Sequence, residues 1–161
     1  MSMAASTTNG VEGINSLAKH INHEVALKAI NAGVAKAREL KQRSSLVIVD
    51  AGGNLIAMIR VDDAAFGTIE IAHNKAFTSA ALRAPSDKWM ELVQPGAALY
   101  GLERACARPF VIFGGGLPVC DDEQVVGAVG VSGGPVEADV AIAQAMVNVL
   151  QRNWDLGMTI A

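Results

Sequence analysis

Aromatic side chains are scarce in this chain: only 4% of its 161 residues are Phe, Trp or Tyr. That leaves little of the stacking surface that single-stranded nucleic acids use. Charged residues are also few, at 18%, and the 13 basic ones are scattered through a chain of formal net charge −3. A phosphate backbone needs positive charge gathered on one face, so no nucleic-acid partner is expected. No apolar run reaches the roughly 20 residues that cross a bilayer. The opening MSMAASTTNG lacks the basic segment and apolar core of a secretory signal, so the expected location is the cytoplasm. The two cysteines, Cys106 and Cys120, form no CxxC pair and read as reduced thiols. Arg104 and Arg108 flank Cys106, but no partner histidine marks it as a nucleophile. Zinc-type Cys/His spacing, HExxH and a Ser-His-Asp pattern are all missing, and no metal is expected.

What is abundant is small apolar residues. Half the chain, 51%, is hydrophobic, most of it Ala, Val, Ile and Leu. That is enough for one core in one domain, with helices packed closely on a sheet. Residues 1–20 read as a flexible polar lead-in and 21–161 as the single domain. Asn22 is a candidate N-cap, and Val25, Ala29, Ile30, Gly33, Val34, Ala37 and Leu40 recur with helical period, predicting a helix over 24–41. Leu46–Val49 and Leu55–Val61 flank the turn Asp50-Ala51-Gly52-Gly53-Asn54, which predicts an antiparallel hairpin with the Asp50 carboxylate bonded to backbone N–H groups. A helix is predicted over 68–84, ended by Pro85, with a short helix over 86–93 capped by Ser86. Residues 94–108 carry glycine without a period and read as a loop or lid.

Three further strands are predicted at Phe110–Phe113, Leu117–Cys120 and Gln124–Val131, the last two joined by the turn Asp121-Asp122-Glu123. Pro135 then opens a long helix. Val136, Val140, Ala143, Val147, Leu150 and Trp154 form one stripe on it, and Ala138, Ala141, Ile142, Ala145, Met146 and Val149 make the rest nearly as apolar. A helix greasy on most sides is buried on most sides, which suggests that a second subunit covers one of them. The fold class expected is α+β: a five-stranded antiparallel sheet flanked by helices.

Between sheet and helix lies GAVGVSGGPVEAD. It lacks the GxGxxG fingerprint and the lysine of a P-loop. It reads first as a structural corner, in which Glu137 and Asp139 satisfy the first-turn N–H groups, and second as an anion seat at Gly133, Gly134 and the helix start. His20 and His23 flank the first helix and are either polar surface residues or axial ligands for haem iron or corrinoid cobalt. Glu70, His73 and Asn74 share a helical face at i, i+3 and i+4. They read as a surface ion pair or as acid/base chemistry, with Lys75 and Arg60 holding a substrate carboxylate. Asp62 and Asp63 are adjacent carboxylates without a third ligand, a weak cation signal.

The segments VDAGGNLIAMIRVDDA, IEIAHNKAFTSA, GGGLPV and VVGAVGVSGG…EAD occur in the order found in GlcG/HbpS-like domains, and the chain resembles that family over residues 21–150. The resemblance implies a profilin-like fold, assembly into dimers and up to octamers, and binding of haem or cobalamin. It raises the weight on His73 and Lys75, which lie inside one of its motifs. The functions expected are an oligomeric small-ligand-binding domain of a catabolic pathway (haem, corrinoid or small organic anion), a tautomerase or isomerase of a small unsaturated oxo-acid using Glu70, His73, Lys75 and Arg60, or a non-catalytic accessory subunit.

Overall fold

A computed structural model describes the backbone of residues 20–155 and the side chains of 20–152. The predicted lead-in, apart from His20, and the Trp154 side chain lie outside the described residues. The chain order is α1 (His23–Glu39), β1 (Ser45–Asp50), β2 (Leu55–Arg60), α2 (Gly67–Leu82), β3 (Gly116–Asp121), β4 (Gln124–Ser132) and α3 (Val136–Asp155). Two short 3₁₀ turns, Ser86–Val93 and Leu102–Arg104, lie between α2 and β3.

Asn22 caps α1 as expected, its side chain accepting the Val25 N–H at 2.9 Å. The helix ends two residues short of the predicted limit. There Gln42 N–H bonds back to Ala37 O, and Lys41 turns left-handed with φ 56°. Glycine is the usual residue at such a stop, because a side chain there strains the backbone.

The hairpin forms as read. Asp50 Oδ1 accepts the N–H groups of Gly52 and Asn54 at 2.8 and 2.9 Å, which closes the turn. β1 pairs with β2 on one side and β4 on the other, and β3 pairs with β4, all antiparallel, in the order β2-β1-β4-β3. The sheet therefore has four strands rather than five. The predicted strand Phe110–Phe113 stays outside it because hydroxyl groups take its backbone bonds. Thr78 Oγ1 accepts the Val111 N–H at 2.9 Å, and Ser86 Oγ donates to Phe113 O at 2.7 Å. A four-residue apolar run carries no period that separates a strand from an extended segment lying over a helix.

Side-chain alternation puts Leu46, Ile48, Val129 and Val131 on one face of the sheet, packed with α1 and α3. Val47, Val49 and Ala128 face α2 through Ala72, Ala76 and Ala80. The result is a helix–sheet–helix sandwich, with small residues letting α2 approach closely. At Gly130 a Cβ would fall inside van der Waals contact of Ala72 O.

Part of the girth of α3 is covered within the chain. Ile142, Ala143, Met146, Val147 and Leu150 are buried between the sheet and α1 of the same chain. A Cβ at Gly33 of α1 would run into the Met146 side chain, so these two helices touch almost backbone to side chain. One chain thus covers much of α3, while Val136 stays 40% exposed and Ala138, Val140, Ala141, Ala145 and Val149 are half-buried. Exposed large apolar side chains include Leu55, Met58 and Ile59 of β2 besides Val136 of α3. Among the described residues no helix is long and apolar enough to cross a membrane.

Candidate functional site

Helix α2 carries two chemically distinct sites on different sides. Lys75 reaches the glycine corner and is fully buried. Its Nζ donates to Val131 O at 2.8 Å and to Asp139 Oδ2 at 2.9 Å, and lies 4.9 Å from the centre of the Phe113 ring. The other carboxylate oxygen of Asp139, Oδ1, accepts the Gly134 N–H at 3.1 Å. Burial lowers the Lys75 pKa, against the pull of Asp139; burial raises that of Asp139, against Lys75 and the corner N–H groups. The glycine corner is thus filled by the chain's own carboxylate, with an internal counter-ion. Gly133, Gly134 and Asp139 act first as the structural corner, and Lys75 is committed to holding it.

On the other side of α2, His73 lies beneath the hairpin turn. Gly53, at φ 80°, packs so tightly over Phe77 that a Cβ would meet its ring. Phe77 stacks on Phe110 at 5.9 Å between centroids, and the Arg108 guanidinium stands 5.4 Å from the Phe77 ring centre. Arg108 makes only a long contact of 3.4 Å to Asn74 Oδ1. The His73 Nε2 atom is buried without a hydrogen-bond partner. Burial first, and the charge of Arg108 second, hold the imidazole below its ordinary pKa, while Glu70 and a bond to the Gly53 backbone work the other way. His73 is therefore a neutral ring at pH 7 with one free nitrogen, beside an aromatic pair and a guanidinium.

The predicted foursome is divided by this geometry. Glu70 and His73 remain neighbours, with Glu70 exposed. Lys75 belongs to the corner instead. Arg60 is exposed at the end of edge strand β2, in register with Ser45. His20 and His23 are exposed at the start of α1. Asp63 stands 3.8 Å from Arg43. Cys106 and Cys120 are free thiols. Among the described residues no group of three or more His, Cys, Asp or Glu side chains gathers to hold a metal ion. Sequence reading missed Arg108 as a partner of His73, because the two stand 35 positions apart on different segments and no period links them.

The depressed His73 pKa has a measurable sign. Below about 6.5 the unfolded chain takes up a proton that the folded chain resists, so more protons bind the unfolded state there. Stability is expected to rise with pH through the window below 6.5 and to level off above it. Urea unfolding from pH 5 to pH 8 measures this, and His73→Gln is expected to flatten the slope.

A small helix–sheet–helix domain thus holds a half-satisfied histidine against an aromatic pair and an arginine with no carboxylate partner among the described residues. The chain belongs to the HbpS-like family, described as haem degrading protein HbpS-like, whose model matches residues 21–148. It is 45% identical over 123 residues to an uncharacterised 15.0 kDa protein from the dhaT-dhaS intergenic region of Citrobacter freundii, spanning 76% of this chain and 87% of that one. The crystal structure of Klebsiella pneumoniae ORFY superposes with a TM-score of 0.80 at 36% identity, over 91% of this chain and 98% of the other. A PduOC:haem complex superposes with a TM-score of 0.77 at 35% identity, over 81% and 95%.

Proposed function

We propose that this domain binds haem, with His73 as the iron ligand and Arg108 as the partner of a propionate. The observation that carries the reading is the unpartnered, enclosed Nε2 of His73. A neutral imidazole whose other edge is braced by a backbone group has the donor chemistry that haem iron takes. The haem complex of a similar protein supports the ligand class. Bound haem would supply an iron centre for ligand or electron exchange.

The chain's own residues do the positioning. Phe77 and Phe110 offer an apolar stack, Gly53 braces the ring, and Arg108 brings a positive charge that no carboxylate among the described residues neutralises within ion-pair distance. Nε2 is enclosed, and Arg108 beside it belongs to the mostly exposed, irregular 94–113 segment. His20 and His23 stand on open surface without a cradle and are the weaker ligands. The isomerase alternative is not favoured, because Lys75 is spent on Asp139 and Arg60 lies at the sheet edge.

The same proposal places the domain in the cytoplasm, in a catabolic pathway, with a profilin-like topology. It also includes assembly into dimers or larger oligomers. The exposed Leu55, Met58 and Ile59 of β2 support that assembly better than α3 does.

Titrating the protein with haemin and recording the Soret band tests the reading. Wild-type protein is expected to give a saturable band. His73→Ala should abolish its shift, Arg108→Ala should weaken binding about tenfold, and the double change His20→Ala/His23→Ala should leave it intact. A band that survives His73→Ala and disappears in the double variant transfers the ligand role to α1. No saturable band at all leaves the corrinoid and small-anion readings, which cobalamin and oxo-acid titrations then separate.

A further inference from the structure

The C-terminal end of α1, the link from α1 to β1 and the residues just after β2 form an open cleft of about 370 Å³ lined by Val34, Arg38, Lys41, Gln42, Arg43, Val61 and Asp62. Its size is within the range of small-molecule sites. Three of its seven residues are cations, in a chain whose overall charge is negative. The walls are tied together by the Val61 N–H bond to Ser44 O at 3.1 Å, and the glycine corner packs behind Gln42 and Arg43.

Positive residues at a helix C-terminus commonly do no more than complement the helix dipole. Two observations go beyond that. Arg38 and Lys41 have no carboxylate within ion-pair distance among the described residues, whereas Lys36 in the same turn is paired to Glu39 at 2.7 Å. Arg43 lies two residues beyond Lys41 in the link to β1, and its one acid contact among the described residues is the exposed, 3.8 Å approach to Asp63. Three cations of residues 38–43 therefore line one concavity and outnumber its single carboxylate, Asp62. Lys41 moreover takes a left-handed conformation that costs a side chain free energy and that glycine would take without strain. A long cationic residue held there at a stability cost is explained if its charge is used.

We propose that this cleft binds a small organic acid through its carboxylate groups. The planar forks of Arg38 and Arg43 suit carboxylates in pairs, Lys41 adds a point charge, and Val34 and Val61 give a short carbon stem an apolar floor. An inorganic anion would leave that floor unused. The site shares no residue with the His73 locus and is independent of the haem reading.

Succinate and inorganic phosphate are the probes, titrated at fixed low ionic strength and followed by backbone amide shifts. Succinate is expected to saturate, with shifts concentrated in residues 38–43 and 61–62. Lys41→Gly is the informative variant, because it should raise the melting temperature while weakening succinate about tenfold. Arg38→Gln should weaken it similarly, and the haemin titration should be unchanged in both. Unchanged succinate affinity in both variants, or no saturable shift in the wild type, overturns the site. Phosphate binding as tightly as succinate overturns its assignment to organic acids.

Discussion

Lys75→Met is expected to destabilise the fold by about 3–5 kcal/mol, because it strands the Asp139 carboxylate in a site built for a pair. Both groups are buried, at 0% and 2% exposure, and each also holds a backbone group: Val131 O for the lysine, Gly134 N–H for the aspartate. Urea unfolding measures the loss. In the variant, burial without a counter-ion raises the Asp139 pKa further above its ordinary 3.8. The folded state then keeps a proton that the unfolded chain releases, so the variant should lose stability as pH climbs above that value. Adding Asp139→Asn removes the stranded charge and keeps an acceptor for Gly134. The double variant should regain about 1–3 kcal/mol relative to the sum of the single changes. Strict additivity would mean that the two side chains do not act as a pair.

Gly130→Ala should cost about 3 kcal/mol, more than its single methyl suggests. The new Cβ would be driven into the backbone of α2 at Ala72 O and Ala76 N, and backbone cannot rotate away as a side chain can. The added carbon must push α2 off β4, loosening the seam of Ala72, Ala76 and Ala128 along its length. Gly96→Ala is the control for handling an alanine at a left-handed glycine. Nothing lies within 4 Å of its Cβ position, so its cost should be only the local strain of φ 86°. A melting curve for Gly130→Ala as high as that of the control would refute the close helix–strand contact.

The parts of the fold legible in the sequence were those governed by local chemistry. Asn22 capped α1, Asp50 closed the hairpin, and Pro135 preceded α3, each because a side chain or ring satisfies its own neighbourhood. What failed depended on contacts distant in sequence. Phe110–Phe113 has strand-like composition, yet Thr78 and Ser86 claim its backbone from 27 to 33 residues away. The apolar girth of α3 is legible in its spacing, but not that α1, more than 100 residues earlier, covers much of it.

The candidate site shows the same division. Helical spacing correctly joined Glu70 to His73. It could not reveal that Lys75, two residues on, belongs with Asp139 at a separation of 64 residues, or that Arg108 completes the histidine's surroundings. Charge pairs across a fold leave no periodic trace.

The two margins of the sheet differ in one further respect. β3 has Pro118 in mid-strand, and an imino acid has no N–H to offer an incoming ladder. β2, from Leu55 to Arg60, has no proline, and it presents a row of main-chain donors and acceptors beside greasy side chains. Lateral growth, whether by orderly recruitment of another polypeptide or by pathological stacking, is therefore polarised: it starts at β2 and is blocked at the opposite flank.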